Sequence, residues 1–214
     1  MMQNSAWNRY LELMKQRPED FEDNGSIHIV TDLRVVQRYQ EETGTVIGVC
    51  WESPWHILVT DLVWEQEGVY FPYERLLSVQ PRGAVVCIPK CGEYFVLLRQ
   101  YRHAVRGYQY AFPRGYGEAG LSAEENARKE LWEELGARAK TVKRLGSVIA
   151  DSGVSGTSVE IYLCEIDTYS QKTGYEGIAE VAEVDGPMLE DMIAKGQIND
   201  GFTLSAWSLL SCGN

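Results

Sequence analysis

The stretch SAEENARKELWEELG, residues 122–136, carries its own start and stop signals for a helix. Ser122 and Glu125 form a capping box, in which each side chain can satisfy the other residue's free backbone N–H. Gly136 stands where a left-handed residue closes a helix. On both sides lie short apolar runs rich in β-branched and aromatic residues, AVVCIP and YFVLLRQYR before it, VKRLGSVIA and SVEIYLCEI after it. A helix bounded so sharply between strand-like segments points to an α/β architecture.

The rest of the chain sorts around that helix. Trp7, Tyr10, Leu11 and Met14 recur at helical spacing over residues 5–17, and Pro18 and Gly25 end the pattern. Asp32 caps a second helix over 33–43, with Leu33, Val36 and Tyr39 on one face and Gly44 at its end. From Val46 the runs VIGVCW, WHILVTDLVW and VYFPYERLL, separated by turn-like residues, predict a small antiparallel sheet. AVVCIP and YFVLLRQYR around KCGE read as a hairpin, followed by a Gly-rich loop, QYAFPRGYGEAG. A polar loop over Thr168–Gly177, a strand near Ala179–Val184 and helical patterns from Pro187 complete the reading. SVQPRG marks the boundary between residues 1–78, helices and a small sheet, and residues 79–214.

Charge narrows the partners. With 31 acidic against 20 basic residues the net charge is −11, and no basic run interrupts it, so nucleic acid and anionic membrane are not expected partners. An anionic ligand remains compatible where divalent cations bridge it to protein carboxylates. The five cysteines sit mostly in apolar runs and read as buried free thiols. No second Cys or His pair completes a zinc set around Cys87 and Cys91, and a reducing cytoplasm fits. The opening residues lack a basic segment followed by an apolar core, and no apolar run reaches membrane-spanning length, so a cytoplasmic protein is expected.

The acidic helix raises a specific question. At about 100° per residue, Glu133 and Glu134 fall within roughly 60° of Glu130, while Leu131 and Leu135 anchor the adjoining face. Like charges so close raise one another's pKa, and a divalent cation relieves them. Oxygen ligands alone suit Mg²⁺ or Mn²⁺. From KELWEE by itself, a solvated Glu-rich face accounts for the pattern as well.

Read together with the preceding loop, GYGEAGLSAEENARKELWEELGA resembles the signature of the nudix hydrolases, G-x5-E-x7-R-E-U-x-E-E-x-G-U with U apolar. Gly115, Glu130, Leu131, Glu133, Glu134, Gly136 and Ala137 fall in register. Two positions depart: Leu121 replaces the first signature acid, with Glu118 nearby, and Lys129 replaces the arginine. The resemblance implies a nudix α/β/α sandwich with a mixed sheet, preceded by the small N-terminal antiparallel sheet and helices. It implies Mg²⁺ or Mn²⁺ held by Glu130 and Glu134, with Glu133 as ligand or water-ordering group and the backbone carbonyl near Arg114 as a further ligand. Lys129 is expected to orient Glu130, with Gly115 and Gly136 as structural members of the box.

Upstream, RGAVVCIPKCGEYFVLLRQYRHAVRGYQYAFPRGYGE is similar to the ADP-ribose pyrophosphatase branch of that family. The likeness implies hydrolysis of the diphosphate linkage of ADP-ribose or a related nucleotide sugar, giving AMP and a sugar phosphate. It also implies a homodimer paired through the small sheet. Arg102 matches a substrate-phosphate contact, Arg99 is a second candidate, and Arg75 is a candidate for base or ribose phosphate. Glu176 and Glu180 are candidates for the loop acid that completes catalysis, with Asp151 and Ser152 as further pocket residues. Trp64, Tyr70, Phe71 and Tyr73 are candidates for stacking on adenine. The rival reading is a catalytically weakened nudix-fold nucleotide-binding or regulatory protein, marked by Leu121 and Lys129.

Overall fold

The computed structural model describes residues 2–170, 174 and 176–213, so the expected polar loop Thr168–Gly177 lies partly outside the described residues. Packing divides the chain into two compact units, Met1–Val79 with Asp151–Gly156, and Gln80–Ala150 with Thr157–Asn214.

The first unit runs α1 (Met2–Gln16), β1 (His28–Ile29), α2 (Leu33–Thr43), β2 (Gly48–Glu52), β3 (His56–Gln66) and β4 (Val69–Ser78). All pairing is antiparallel around β3. β4 lines one edge for its whole length, and the other edge is shared by β2, opposite Ile57–Thr60, and β1, opposite Val63–Trp64. Trp7, Tyr10 and Leu13 of α1 and Val36 of α2 pack with Ile57, Val59 and Leu62 of β3. Asp32 caps α2 by accepting the Arg34 N–H at 2.8 Å, and Gly44 ends it with φ 76°. The buried face of α2 matches the expected one at Val36, which is buried, and at Tyr39, which packs against the core, but Leu33 is exposed and Gln40 is buried in addition. Gln40 is drawn inward because its Oε1 accepts the Ile47 N–H at 2.9 Å.

The second unit holds β5 (Val85–Cys91), β6 (Tyr94–Arg102), β7 (Gly107–Ala111), β8 (Arg114–Gly115), α3 (Ala123–Leu135), β9 (Ala139–Ile149), β10 (Ser158–Ile166), β11 (Ile178–Val184), α4 (Gly186–Ala194) and α5 (Gly201–Cys212). Among the described residues the sheet has the order β11-β6-β5-β10-β9, with β7 on β6 and β8 on β5. Only β5 and β10 run parallel, so the sheet is mixed. Strand alternation divides its residues between two layers. Val85, Cys87, Val96 and Leu98 meet α3 through Ala127, Leu131 and Leu135. Val86, Ile88, Phe95 and Leu97 meet α4 and α5 through Leu189, Met192 and Ala206.

The expected hairpin of β5 and β6 is present but short. Its two strands pair only at Lys90 with Phe95 and Cys91 with Tyr94, and then splay apart. β8 takes the freed edge of β5, with Val86 opposite Arg114 and Val85 opposite Gly115, while β7 follows β6 from Leu98 to Arg102. The segment read from sequence as a Gly-rich loop thus contains the end of β7 and all of β8. The cysteine reading also needs correction in part. All five thiols are free, Cys87 and Cys164 are buried, but Cys50 and Cys212 are exposed.

Candidate active site

α3 forms where its caps predict. Ser122 accepts the Glu125 N–H, Glu125 accepts the Ser122 N–H at 2.8 Å, and Gly136 closes the helix at φ 61°. Its apolar stripe, Ala127, Leu131 and Leu135, is fully buried against the sheet. That anchorage carries Glu134 inward with it, to 2% exposure, and Glu130 to a half-buried position.

Both carboxyl groups resist ionisation. Burial, with the Glu130 charge adding to it, pushes Glu134 up to about 8, although the Arg114 N–H donates to its Oε2 at 3.2 Å. Burial likewise pushes Glu130 up to about 7, with Glu133, Glu176 and Glu118 adding and Lys129 opposing. Gly115 backs directly on Glu130. A Cβ at position 115 would lie 1.9 Å from Glu130 Oε1 and 2.1 Å from its Cδ, so only glycine leaves room for the carboxylate.

The third carboxylate of the expected cluster behaves differently. Glu133 accepts from Lys129 Nζ at 2.6 Å, and the same ammonium reaches Glu118 at 2.8 Å. Lys129 therefore bridges the loop to the helix, where an orienting bond to Glu130 was expected. Its planar-fork counterpart, arginine, has other geometry available; an ammonium is a point charge that gathers nearby carboxylates. Among the described residues no three His, Cys, Asp or Glu side chains converge as a metal cage. Two desolvated carboxylates still suit a hard cation, since Mg²⁺ commonly uses one or two carboxylates and completes its shell with water and phosphate oxygens.

Beside these groups a cleft of about 470 Å³ is lined by Arg102, His103, Gln109, Arg114, Asp200 and Phe202, among others. Arg102 Nε is buried with no hydrogen-bond partner among the described residues. Burial, then the nearby Arg114, lowers the Arg102 pKa, and Asp200, Glu134 and Glu176 act in the opposite sense. A partly desolvated guanidinium lining a cleft is suited to binding an anion. Arg114 is already engaged: Nη1 donates to Asp200 Oδ1 at 2.7 Å and the guanidinium lies 5.0 Å over the Phe202 ring.

The two loop acids separate. Glu176 takes a positive φ of 45°, rare for a residue with a Cβ, and its carbonyl accepts from Gln100 Nε2 at 2.9 Å. Its charge is felt at Glu130, Glu134 and Arg102. Glu180 instead sits opposite Arg99 in the β11–β6 ladder and accepts from Tyr110 Oη at 3.4 Å. Arg99 itself stacks over Tyr108 at 4.5 Å.

Arg75 is not placed for a ligand. Its Nε and Nη2 donate to Asp61 at 2.5 and 3.1 Å, and Nη1 donates to the Asp20 carbonyl at 2.7 Å. Asp61, 2% exposed, also accepts from Tyr10, so the arginine is the counter-ion of a buried network in the first unit. Trp64 lies against His28 in a tilted ring pair and, with Tyr70, packs on that unit's core, while Tyr73 Oη donates to the Gly153 carbonyl at 3.0 Å. Asp151 accepts the Gly153 N–H at 3.1 Å in a turn of the same unit, which also holds Ser152.

Three contributors escaped the sequence reading. Asn126, fully buried, donates to the Gly83 and Tyr116 carbonyls at 2.8 and 2.7 Å and so pins the loop before α3. A buried-face asparagine inside a helix, where its propensity is poor, was the available signal. Gln100 holds Glu176, as noted. Asp200 caps α5 by accepting the Thr203 N–H and Oγ1–H at 3.0 and 2.8 Å, and Thr203 Oγ1 accepts the Phe112 N–H at 3.1 Å. Asp followed by Gly and an apolar run was a legible cap; its bond to Arg114 was not.

The family model described as NUDIX domain matches residues 80–181. ADP compounds hydrolase NudE of Escherichia coli (strain K12) is 25% identical over 145 residues, 67% of this chain and 77% of that protein. A crystal structure of an ADP compounds hydrolase shares the fold, with a TM-score of 0.66 at 20% identity over 76% of this chain and 88% of that one. The matched residues span the strands, the loop and the helix that bring Gly115, Glu130 and Glu134 together, so residues 80–181 of this chain form a NUDIX domain.

Proposed function

We propose that the protein hydrolyses the diphosphate linkage of ADP-ribose or a related nucleotide sugar, with Mg²⁺ or Mn²⁺, to AMP and a sugar phosphate. The observation that carries this reading is the position of the buried Glu134 and the half-buried Glu130 next to Arg114 and Arg102, two arginines that line the cleft. The E. coli relative is a hydrolase of ADP compounds by its own description, which favours an enzyme over a binding protein.

Glu130 and Glu134 would hold the divalent cation, with the backbone carbonyl at Arg114 beside them. When bound, that cation supplies charge compensation for the diphosphate and lowers the pKa of coordinated water. Arg102, which lines the cleft, binds phosphate oxygens through its guanidinium. Glu176 accepts a proton from the attacking water as the new O–P bond forms. The bridging P–O bond breaks, and the displaced phosphate leaves as an anion. Glu133, paired with Lys129, holds the loop at Glu118 against α3. Arg99, on the same strand as Arg102, is a second phosphate contact on this reading, and Glu180 steadies Tyr110 beside it.

The test is turnover of ADP-ribose, ADP-glucose, diadenosine polyphosphates and NADH with Mg²⁺, Mn²⁺ or EDTA, following products by chromatography. AMP release from ADP-ribose, abolished by EDTA, is expected. No turnover of any of these by folded protein with either metal overturns the reading.

The proposal extends to a homodimer paired through the small antiparallel sheet, working in the cytoplasm. No helix among the described residues is long and apolar enough to cross a membrane. Sedimentation at micromolar concentration is expected to give the mass of two chains; a monomer alone would remove the dimer from the proposal.

A further inference from the structure

We infer that Asp200 sets the charge of the ligand that the cleft accepts, favouring a diphosphate bridged at both ends over one that ends in a free phosphate. The inference rests on the proposed diphosphate chemistry and adds a specificity residue to it. Two guanidiniums, Arg102 and Arg114, open onto the cleft, but they are not equivalent. Asp200, only 7% exposed, spends Oδ1 on Arg114 at 2.7 Å and Oδ2 on Thr203. The Arg114 guanidinium also lies over the Phe202 ring. One cation is thus neutralised from within, while Arg102 Nε is buried with no hydrogen-bond partner among the described residues.

Each phosphorus of a bridged diphosphate carries one negative charge. A terminal phosphate carries nearly a second at neutral pH, because its second pKa is about 6. The additional charge would meet Asp200 where a free Arg114 would otherwise receive it. Selection by an unfavourable contact of this kind needs no loss of affinity for the preferred ligand.

Asp200→Asn separates charge from structure. Asparagine caps a helix as well as aspartate does, so its oxygen can keep the Thr203 bonds. Its amide NH₂ then faces Arg114 donor to donor, which releases the guanidinium into the cleft. Asp200→Ser provides a second cap without charge.

The measurement is the ratio of the inhibition constant of ADP to the KM of ADP-ribose, at fixed free Mg²⁺, in wild type and both variants. The ratio is expected to fall on the order of tenfold in the variants. Wild type that does not turn over ADP-ribose would sink the proposed function itself. Active wild type, with a ratio unchanged within about twofold in a folded variant, would sink this inference alone. Loss of the folded state in both variants assigns Asp200 to stability and overturns the inference as well.

Discussion

Glu134→Gln is expected to lose turnover by roughly three orders of magnitude or more, while gaining stability at pH 8 in the absence of divalent metal. Both effects follow from one carboxylate. The Glu134 carboxyl is held at about 8 and Glu130 at about 7, against 4.5 for an ordinary glutamate. Between those limits the folded protein binds more protons than the unfolded chain, so metal-free stability falls as pH rises from about 4.5 through 8. Glutamine cannot ionise, and its oxygen can still accept the Arg114 N–H that Glu134 accepts. The variant should therefore exceed wild type by on the order of a few kcal/mol at pH 8 and match it near pH 5. Chemical denaturation at both pH values, with EDTA, reads the stability; ADP-ribose turnover reads the activity. Turnover within tenfold of wild type would remove Glu134 from the metal site, and equal stability at pH 8 would show that its burial carries no such cost.

Gly115→Ala should separate fold from function in the opposite way, by leaving the charge in place and moving it. The added methyl would stand 1.9 Å from Glu130 Oε1, so the Glu130 side chain must swing aside. The atoms it meets first are the end of a flexible side chain and not backbone, and φ at 115 is not positive, so the cost to the fold is small. Catalysis has no such latitude. Displacing a catalytic group by about an ångström costs on the order of a hundredfold. The expected outcome is a loss of kcat of that size or larger, with helix content and thermal midpoint near wild type. Full activity would mean that Glu130 works from a position other than the one against Gly115.

How much of this could be read from the sequence depended on how local each interaction is. The limits of α3, its buried Leu131 and Leu135, and the juxtaposition of Glu130 with Glu134 follow from helical period and caps within one segment. The Lys129–Glu133 pair lies within reach of the same rule, since residues four apart on a helix are neighbours, but the resemblance points Lys129 at Glu130 instead. Register was not. Arg75 lies opposite Val59 and diagonal to Asp61 only because β3 and β4 pair as they do, and nothing in either strand alone announces the ion pair. β8 is two residues long, is preceded by Pro113, and contains and is followed by glycines that signal a loop; it is a strand because β5 has an edge free there. Asp200 meets Arg114 across most of the domain's length, beyond the reach of any periodicity.

A hairpin joined by only two residue pairs has a bearing on the order of assembly. β5 gains its main partner when Val85 meets Glu160 and Cys91 meets Ile166, after α3 and β9 have been laid down between them. Until then one edge of β5 is open, and only the short ladder with Arg114 and Gly115 holds the other. Forming the acidic helix early, as its strong caps allow, would not give a working centre. The carboxylates acquire their environment only when the distant strand closes, which ties the appearance of activity to the slow, non-local step of folding.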